Sequence, residues 1–335
     1  MTQPSHGVTL ASIYAARARI QGQVARTPLV RSLALSERFD AEVYLKLENH
    51  QPSGAFKLRG ATNMIAALMA RDGDGSLQRG VTTASTGNHG RAVALAAARL
   101  GVPAIVCLSQ RVPSNKVRAI EALGAEVRRV GSSQDEAFQE VARLVDEQGM
   151  TLIPPFDHPL IASGQGTIGV ELLEDRPDLD RVIVGLSGGG LLGGIGAAVK
   201  AIRPEVQVTG VSLSRGAAMW ESLQAGHPVN VEETESLGDS LGGGIGLDNV
   251  CTFALVREVM DDHLQVSEPA IGRAMVDLLE HEKMLVEGAA AVGLAALDEH
   301  GLDIRGQKVA LVVSGNGVDL ATFDVARSLA GQIPK

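Results

Sequence analysis

Apolar and polar residues follow two alternating patterns along most of the chain. Short apolar and β-branched runs predict strands at residues 43–47, 81–84, 103–108, 126–130, 181–186, 206–211 and 308–313. Apolar residues at helical spacing predict helices at residues 56–69, 91–100, 113–123, 135–148, 191–202, 268–281 and 287–297. Strand–helix alternation is typical of parallel sheets with helices on both faces. The pattern therefore predicts an α/β protein with doubly wound sheets.

Two segments interrupt this alternation and are candidate domain boundaries. Pro154 and Pro155 are adjacent, and two prolines in a row fit neither a central strand nor a helix interior. A polar, glycine-containing stretch at residues 72–79 is the second candidate. No low-complexity linker and no repeat of 20–50 residues divides the chain.

Composition narrows the classes of function. The 335 residues carry a net charge of −9 and only 3% aromatic residues, which argues against a nucleic-acid or anionic-membrane surface. The two cysteines, Cys107 and Cys251, lie far apart without metal-ligand spacing, so a disulfide framework is not expected. No apolar secretory or membrane-spanning segment is found. We expect a soluble, cytoplasmic protein without nucleic-acid or membrane partners.

A glycine run follows the predicted strand at 181–186 and opens the next helix. It reads Ser187-Gly188-Gly189-Gly190-Leu191. Glycines permit a sharp turn and close ligand approach, and free amides at a helix N-terminus bind phosphate. The spacing matches neither the dinucleotide fingerprint nor the P-loop. The sequence predicts a phosphate site here, and a tight turn without a ligand is the alternative.

Lys57 lies at the start of a predicted helix, after a turn of small residues. The positive end of the helix dipole disfavours the ammonium form, which would lower the pKa of this amine and make it nucleophilic. The alternative is a solvated surface lysine, which is what most lysines are. Lys57 is therefore a candidate only in combination with other motifs.

Two further turns follow predicted strands. The first contains Ser85, Thr86, Gly87, Asn88 and His89, whose hydroxyls, amide and backbone N–H groups form a nest suited to a carboxylate. His89 is either catalytic or a hydrogen-bonded structural histidine. The second turn, residues 314–319, starts at Ser314 and carries no signal by itself.

Together these four motifs, in this order, resemble the threonine dehydratase and serine racemase family of pyridoxal-phosphate (PLP) enzymes. The likeness extends from Arg26-Thr27-Pro28-Leu29 to Val318-Asp319 and includes residues 155–157, 164–167 and 285–287. It implies fold type II, related to the tryptophan synthase β subunit, with two doubly wound domains and PLP between them. A large PLP-binding domain would comprise residues 1–79 and 158–335. A small inserted domain, residues 80–157, would carry the substrate-carboxylate loop, and the protein would form a homodimer.

The resemblance also implies a role for each motif residue. Lys57 would bind PLP covalently and act as the catalytic base. The implied cofactor-binding residues are Phe56, Lys57, Asn88, Gly188, Gly189, Gly190, Leu191 and Ser314. The implied residues for the substrate carboxylate are Ser85, Thr86, Gly87 and His89. Ser314 would bond the pyridine nitrogen, and a neutral hydroxyl there favours elimination over transamination.

Two positions depart from the family pattern. Racemases of this family carry a serine as a second acid/base where this chain has Thr86, whose β-methyl group restricts its side chain. Thr86 remains a candidate catalytic residue, but racemase activity becomes the second choice. Other members bind a divalent cation through acidic residues where Ser212 and Ala218 stand here. Because such cations prefer several oxygen ligands, we expect no metal at that position.

The resulting functional prediction is β-elimination of water from a 3-hydroxy amino acid that is threonine-, serine- or 3-hydroxyaspartate-like, giving a 2-keto acid or imine plus ammonia. The alternatives are a PLP-dependent racemase and a non-catalytic module that binds a phosphorylated ligand. Glycine-rich residues 236–246, with residues 215–219, resemble dehydratases of hydroxyectoine breakdown. This likeness implies a substrate larger than threonine, either hydroxyaspartate-like or a hydroxylated diamino acid. His50, Arg111 and Arg215 are candidates to meet its extra polar group, and solvated side chains are the alternative.

Overall fold

The computed structural model describes residues 6–71 and 75–331. Its strands are β1 Leu29–Arg31, β2 Glu42–Leu47, β3 Val81–Ala84, β4 Ala104–Leu108, β5 Glu126–Arg129, β6 Thr151–Leu152, β7 Arg181–Gly185, β8 Gln207–Leu213, β9 Asp262–Val266 and β10 Lys308–Val313. Its helices are α1 Leu10–Ile20, α2 Leu33–Phe39, α3 Lys57–Met69, α4 Asn88–Leu100, α5 Ser114–Glu121, α6 Gln134–Gln148, α7 Pro159–Asp175, α8 Gly190–Ile202, α9 Ala218–Ala225, α10 Thr252–Val259, α11 Glu268–Glu282, α12 Gly288–His300 and α13 Leu320–Ala330. Residues 72–74 of the candidate boundary at 72–79 lie outside the described residues.

Each predicted strand and helix is present, with its ends moved by a few residues. The largest shifts are three residues: α4 begins at Asn88 rather than at residue 91, and α12 ends at His300 rather than at residue 297. Several elements were not predicted, among them α1, α7 and the short strands β1 and β6.

Six strands form one sheet in the order β1-β2-β10-β7-β8-β9. All neighbours are parallel except β1, which pairs antiparallel with β2 at the edge. Helices cover both faces. Residues of α7, α8 and α10 form one apolar core, and residues of α11, α12 and α13 form a second core. The strands between them are buried runs, which explains why their apolar sequences were recognisable.

Four strands form a second, fully parallel sheet in the order β5-β4-β3-β6. One face packs against α4 and the other against α6. Helix α3 adds Leu58, Ala61 and Ile65 to the core that α4 shares with this sheet. The helix that begins at Lys57 therefore packs against α4, which covers the four-stranded sheet, and also against α7. The expected division into residues 1–79 with 158–335 and residues 80–157 stays a prediction.

Small residues bring α7 and α8 unusually close together. A side-chain carbon added at Gly194 would lie 2.2 Å from the carbonyl oxygen of Ala162, and one added at Gly169 would lie 2.7 Å from that of Ile195. Neither backbone can retreat without moving its helix, so only glycine fits. This contact fixes α8, whose N-terminus begins in the glycine run. In the described part of the chain, no helix is long and apolar enough to cross a membrane.

Candidate active site

The carboxyl ends of β3, β7 and β10 meet around one cavity of about 280 Å³. Open α/β sheets bind ligands outside the carboxyl ends of their strands. All predicted site residues line this cavity: Phe56, Lys57, Ser85, Thr86, Gly87, Asn88, His89, Gly188, Gly189, Gly190, Leu191 and Ser314. His50, Arg111 and Arg215 are exposed and do not line it, in keeping with solvated side chains.

Lys57 is the first residue of α3, and its Nζ donates a hydrogen bond to the carbonyl oxygen of Pro155 at 2.8 Å. Burial lowers the pKa of Lys57 to about 8, while the negative charge of Glu287 opposes this shift. The sequence predicted a lowered pKa but attributed it to the helix N-terminus, whereas burial is the main cause. The amine is thus brought close to neutral pH, as a nucleophile and a general base require.

The glycine run forms the turn between β7 and α8. Gly189 caps α8 with φ 82°, a left-handed conformation that favours glycine, and no side chain caps the helix. A side-chain carbon at Gly188 would lie 2.4 Å from the ring of Phe156, and one at Gly189 would lie 2.8 Å from Met219. The turn therefore keeps uncapped N–H groups at a helix N-terminus against a cavity, which is the arrangement that binds phosphate.

The turn from β3 into α4 contains the predicted carboxylate loop. The N–H group of Gly87 donates to the hydroxyl of Ser85 at 3.3 Å, and Gly87 precedes α4 without a side-chain cap. A side-chain carbon at Gly90 would lie 2.1 Å from the carbonyl oxygen of Ser85, so this turn requires glycine there. The loop offers hydroxyls and backbone N–H groups to an anion in the same cavity as Lys57.

His89 is buried, and its Nε2 lies 2.8 Å from the carbonyl oxygen of Ile153. Because a carbonyl only accepts, Nε2 carries the proton. Burial, assisted by the charge of Lys57, lowers the pKa of His89 to about 3, so the ring is neutral. Its Nδ1 has no hydrogen-bond partner among the described residues and remains a free acceptor. The structure thus shows the structural hydrogen bond that the sequence left as one of two alternatives.

Glu287 is the group that sequence reasoning missed, although its segment matched the family. Both carboxylate oxygens accept from Nδ2 of Asn88, at 2.8 and 2.9 Å, and one also accepts from the N–H group of Gly317 at 2.9 Å. Gly317 belongs to the turn that starts at Ser314. One buried acid therefore ties together two of the four motifs. Apart from that family match, the sequence signal was a single acid directly before a helix of small residues.

The remaining wall of the cavity comes from the glycine-rich segment at residues 236–246. Asp239, Ser240, Leu241, Gly242 and Gly244 line it. A side-chain carbon added at Gly244 would meet no other atom within 4 Å. At Gly244 this wall therefore leaves open space that the side chain of a larger residue would occupy.

Ser212 stands where the resemblance places a cation ligand in other family members. Its hydroxyl donates to the carbonyl oxygen of Leu186 at 3.0 Å and lies 3.0 Å from Nε2 of His263. The His263 ring stacks on Trp220 with centroids 3.9 Å apart, and burial lowers the pKa of His263 to about 4. The side chains of Ser212 and His263 are both neutral and hydrogen-bond to each other. The expected absence of a metal stays a prediction.

The lowered pKa of His263 makes stability depend on pH. Between about 6.5 and about 4 the unfolded chain binds a proton at this histidine that the folded chain does not, so stability is lost as pH falls through this window. We expect His263→Gln to flatten the dependence of the free energy of unfolding on pH, measured by urea denaturation. The exposed His227 provides the control, His227→Gln, which should keep the parent slope. Parallel curves for parent and His263→Gln would contradict this.

Comparison with known proteins agrees with the geometry of the site. The family model "Pyridoxal-phosphate dependent enzyme" matches residues 20–315. The chain belongs to this family. It is 51% identical over 313 residues to a putative threonine dehydratase of Sinorhizobium fredii, covering 93% of both chains. It is 37% identical over 316 residues to the catabolic L-threonine dehydratase of Escherichia coli, covering 94% of both.

Solved structures show the same fold. A threonine deaminase isoform from Solanum lycopersicum superposes with a TM-score of 0.89 at 32% identity, covering 96% of this chain and 87% of that chain. Maize serine racemase gives 0.87 at 34% identity, covering 96% and 97%. The predicted family, fold type II, the PLP cofactor and the assignment to threonine dehydratase-like lyases are thereby confirmed.

Proposed function

We propose that this PLP enzyme removes water from a 3-hydroxy amino acid and that hydrolysis of the resulting imine releases a 2-keto acid and ammonia. The observation that carries the proposal is the cavity itself. It joins an amine whose pKa is lowered to about 8, an uncapped helix N-terminus and a carboxylate-type nest. Relatives named threonine dehydratase and L-threonine ammonia-lyase support the reaction class.

The residues present fit the cofactor. The glycine turn leaves N–H groups for the phosphate, and the half-buried side chain of Lys57 lies in the same cavity. The residues that would hold PLP are Phe56, Lys57, Asn88, Gly188, Gly189, Gly190, Leu191 and Ser314. When bound, PLP supplies an electron sink for the charge that develops on the substrate Cα. Ser314 is buried and neutral, so it would leave the ring nitrogen without the charged partner that transamination favours.

The protein groups then have separate tasks. Ser85, Thr86 and Gly87 would hold the substrate carboxylate and thereby fix Cα. Lys57 would remove the Cα proton, and with a pKa of about 8 roughly a tenth of free amine is neutral at pH 7. His89 is neutral, so it places no positive charge beside the amine of Lys57. Thr86 is the candidate for a second proton transfer.

The substrate that we propose is larger than threonine. The support is the open space beside Gly244 and the glycine-rich wall around it. A 3-hydroxyaspartate-like compound or a hydroxylated diamino acid of hydroxyectoine breakdown would use this space. We propose catabolic use of such a substrate, and the homodimer and the cytoplasmic location stay predictions.

Racemisation is the second candidate, favoured by the likeness to maize serine racemase and by the hydroxyl of Thr86. Both reactions begin with removal of the Cα proton, and they diverge at the next step, which is either loss of the β-hydroxyl or return of a proton to Cα. Thr86 differs from serine only by a methyl group, and this side chain decides how readily a proton returns to the opposite face.

The test is release of ammonia and keto acid by the PLP-loaded protein from threonine, serine, the 3-hydroxyaspartate isomers and hydroxylated diaminobutyrate. We expect ammonia release, with the highest kcat/KM for one of the two larger substrates. Chiral analysis of the remaining substrate then separates the candidates. Inversion at Cα without ammonia would replace the proposed reaction by racemisation, and no turnover of any substrate would refute both.

A further inference from the structure

Glu287 carries a buried negative charge that no cation neutralises directly. It is 8% exposed and lies immediately before α12. Among the described residues, no lysine, arginine or histidine nitrogen lies within ion-pair distance of its carboxylate. A buried, unpaired carboxylate is costly unless hydrogen bonds stabilise it. We therefore expect the buried carboxylate of Glu287 to have a functional role.

The hydrogen bonds favour the ionised form of Glu287. Asn88 Nδ2 donates to both oxygens, and Gly317 donates its N–H group to one of them. A proton on Oε2 would compete with these donors. Burial raises the pKa of Glu287, while the contacts from Asn88, Gly317 and Ser240 and the charge of Arg91 lower it again. The neighbours thus offset part of the cost of burying this charge.

The same contacts determine the orientation of Asn88. An ionised carboxylate only accepts, so the amide must present Nδ2, and not Oδ1, to Glu287. The two oxygens of one carboxylate share a single hydrogen of Nδ2, so the second hydrogen remains for a ligand in the cavity. The backbone agrees with this arrangement. A side-chain carbon at Gly315 or Gly317 would lie 2.6 or 2.8 Å from a carboxylate oxygen of Glu287. The turn after β10 is therefore shaped around this acid.

Glu287 also acts on Lys57, whose pKa its charge raises against the effect of burial. Besides Glu287, the charged or titratable groups here are His89 and Asp239, which line the cavity together with Lys57, and Arg91, whose charge acts on Glu287; His89 is neutral. Of these, Glu287 is the acid whose charge opposes the effect of burial on Lys57.

We infer that Glu287 is a positioning residue that aims the Asn88 amide at the cofactor ring hydroxyl and whose negative charge acts on the nitrogen of Lys57. The inference requires PLP at this site, which family membership shows, and it does not depend on the identity of the substrate. One acid would then both align the cofactor ring, through Asn88, and balance the charge at the nitrogen of Lys57.

The experiment is a pH titration of the visible absorbance of the PLP-loaded protein without substrate, together with the dissociation constant of PLP. Glu287→Gln removes the charge at nearly constant size. We expect the midpoint of its titration to fall by about one pH unit, equal to a tenfold change in the protonation constant. Because glutamine can turn its own NH2 group toward Asn88, PLP should also bind several-fold more weakly. A midpoint equal to that of the parent would overturn the inference.

Two further variants keep the test decisive. Glu287→Asp retains the charge but withdraws it from Asn88, so it should bind PLP more weakly at an unshifted midpoint. If Glu287→Gln does not fold, parent-like PLP binding by Glu287→Asp would overturn the inference. Glu299→Gln is the matched control, since Glu299 also accepts a backbone N–H group, from Ser267 at 2.8 Å, but is exposed. It should match the parent. Because no substrate is present, failure here is distinct from failure of the proposed reaction.

Discussion

Lys57→Ala is expected to abolish covalent attachment of PLP and to lower turnover by about 10³-fold or more. The change removes the amine that would bind the cofactor and, with it, the general base, whose contribution alone is about 10²–10⁴-fold. Borohydride reduction followed by peptide mass spectrometry reports the attachment. Ammonia release with the best substrate reports turnover.

The exposed Lys116 on α5 supplies the control. Lys116→Ala should keep both the label at Lys57 and the parent rate. Should the reduced label appear on another lysine, or should Lys57→Ala retain the parent rate, the assignment of Lys57 would be wrong. Weak residual binding of PLP by Lys57→Ala is expected, because the glycine turn before α8 is intact.

The strands and most helices were predictable because their local pattern agrees with their final environment. Strand β10 is a nearly continuous apolar run that is buried in the sheet, and α6 has polar and apolar faces. Helix α7 was missed for the opposite reason. Nearly all of it is buried, so it has no polar face, and its buried polar residues Ser163, Gln165, Thr167 and Glu171 look like those of a loop. Only tertiary contacts supply their partners.

The sequence predicted those site residues that belong to local motifs. Lys57, Asn88 and the glycine run lie at or next to turns that the sequence marks, whereas Ser314 was recognised only through the family resemblance; all of them line one cavity. The sequence could not predict contacts between residues that are far apart along the chain. Glu287 is 199 positions from Asn88, and Ile153, which fixes the protonated nitrogen of His89, is 64 positions from it. Burial likewise determines the pKa of Lys57, and burial is a property of the folded chain.

Behind the active-site lysine lies a buried network of four charged residues. Glu171 on α7 accepts from Lys46 at 2.6 Å and from Arg59 at 2.7 and 2.9 Å, and Arg59 also bonds both oxygens of Glu48 at 2.8 Å. The side chains of Lys46, Arg59 and Glu48 are fully buried, and that of Glu171 is 7% exposed. Arg59 is two residues from Lys57 on α3. The network therefore fixes the first turn of that helix against β2 and α7.

Glu171→Ala is expected to lower the free energy of unfolding by about 3–5 kcal/mol, because it leaves two buried cations without their common partner. Three residues along the same helix, Glu174 pairs with Arg17 and Arg26 at the surface and is 40% exposed. Glu174→Ala should cost about 1 kcal/mol or less. Urea unfolding of both variants with PLP bound measures the difference. Equal losses of unfolding free energy in the two variants would show that burial does not increase the contribution of these ion pairs to stability.

The loss in Glu171→Ala should also depend on pH. Burial already lowers the pKa of Lys46, and Glu171 is the largest influence opposing that shift. Without Glu171 the pKa of Lys46 falls further, so the folded variant binds fewer protons than its unfolded chain as pH rises toward the ordinary lysine value. Stability then increases with pH. We expect the deficit relative to the parent to be smaller at pH 9 than at pH 6.5, while the deficit of Glu174→Ala changes little. A deficit independent of pH would mean that Lys46 keeps its proton without a carboxylate beside it, and that Arg59 alone accounts for the loss.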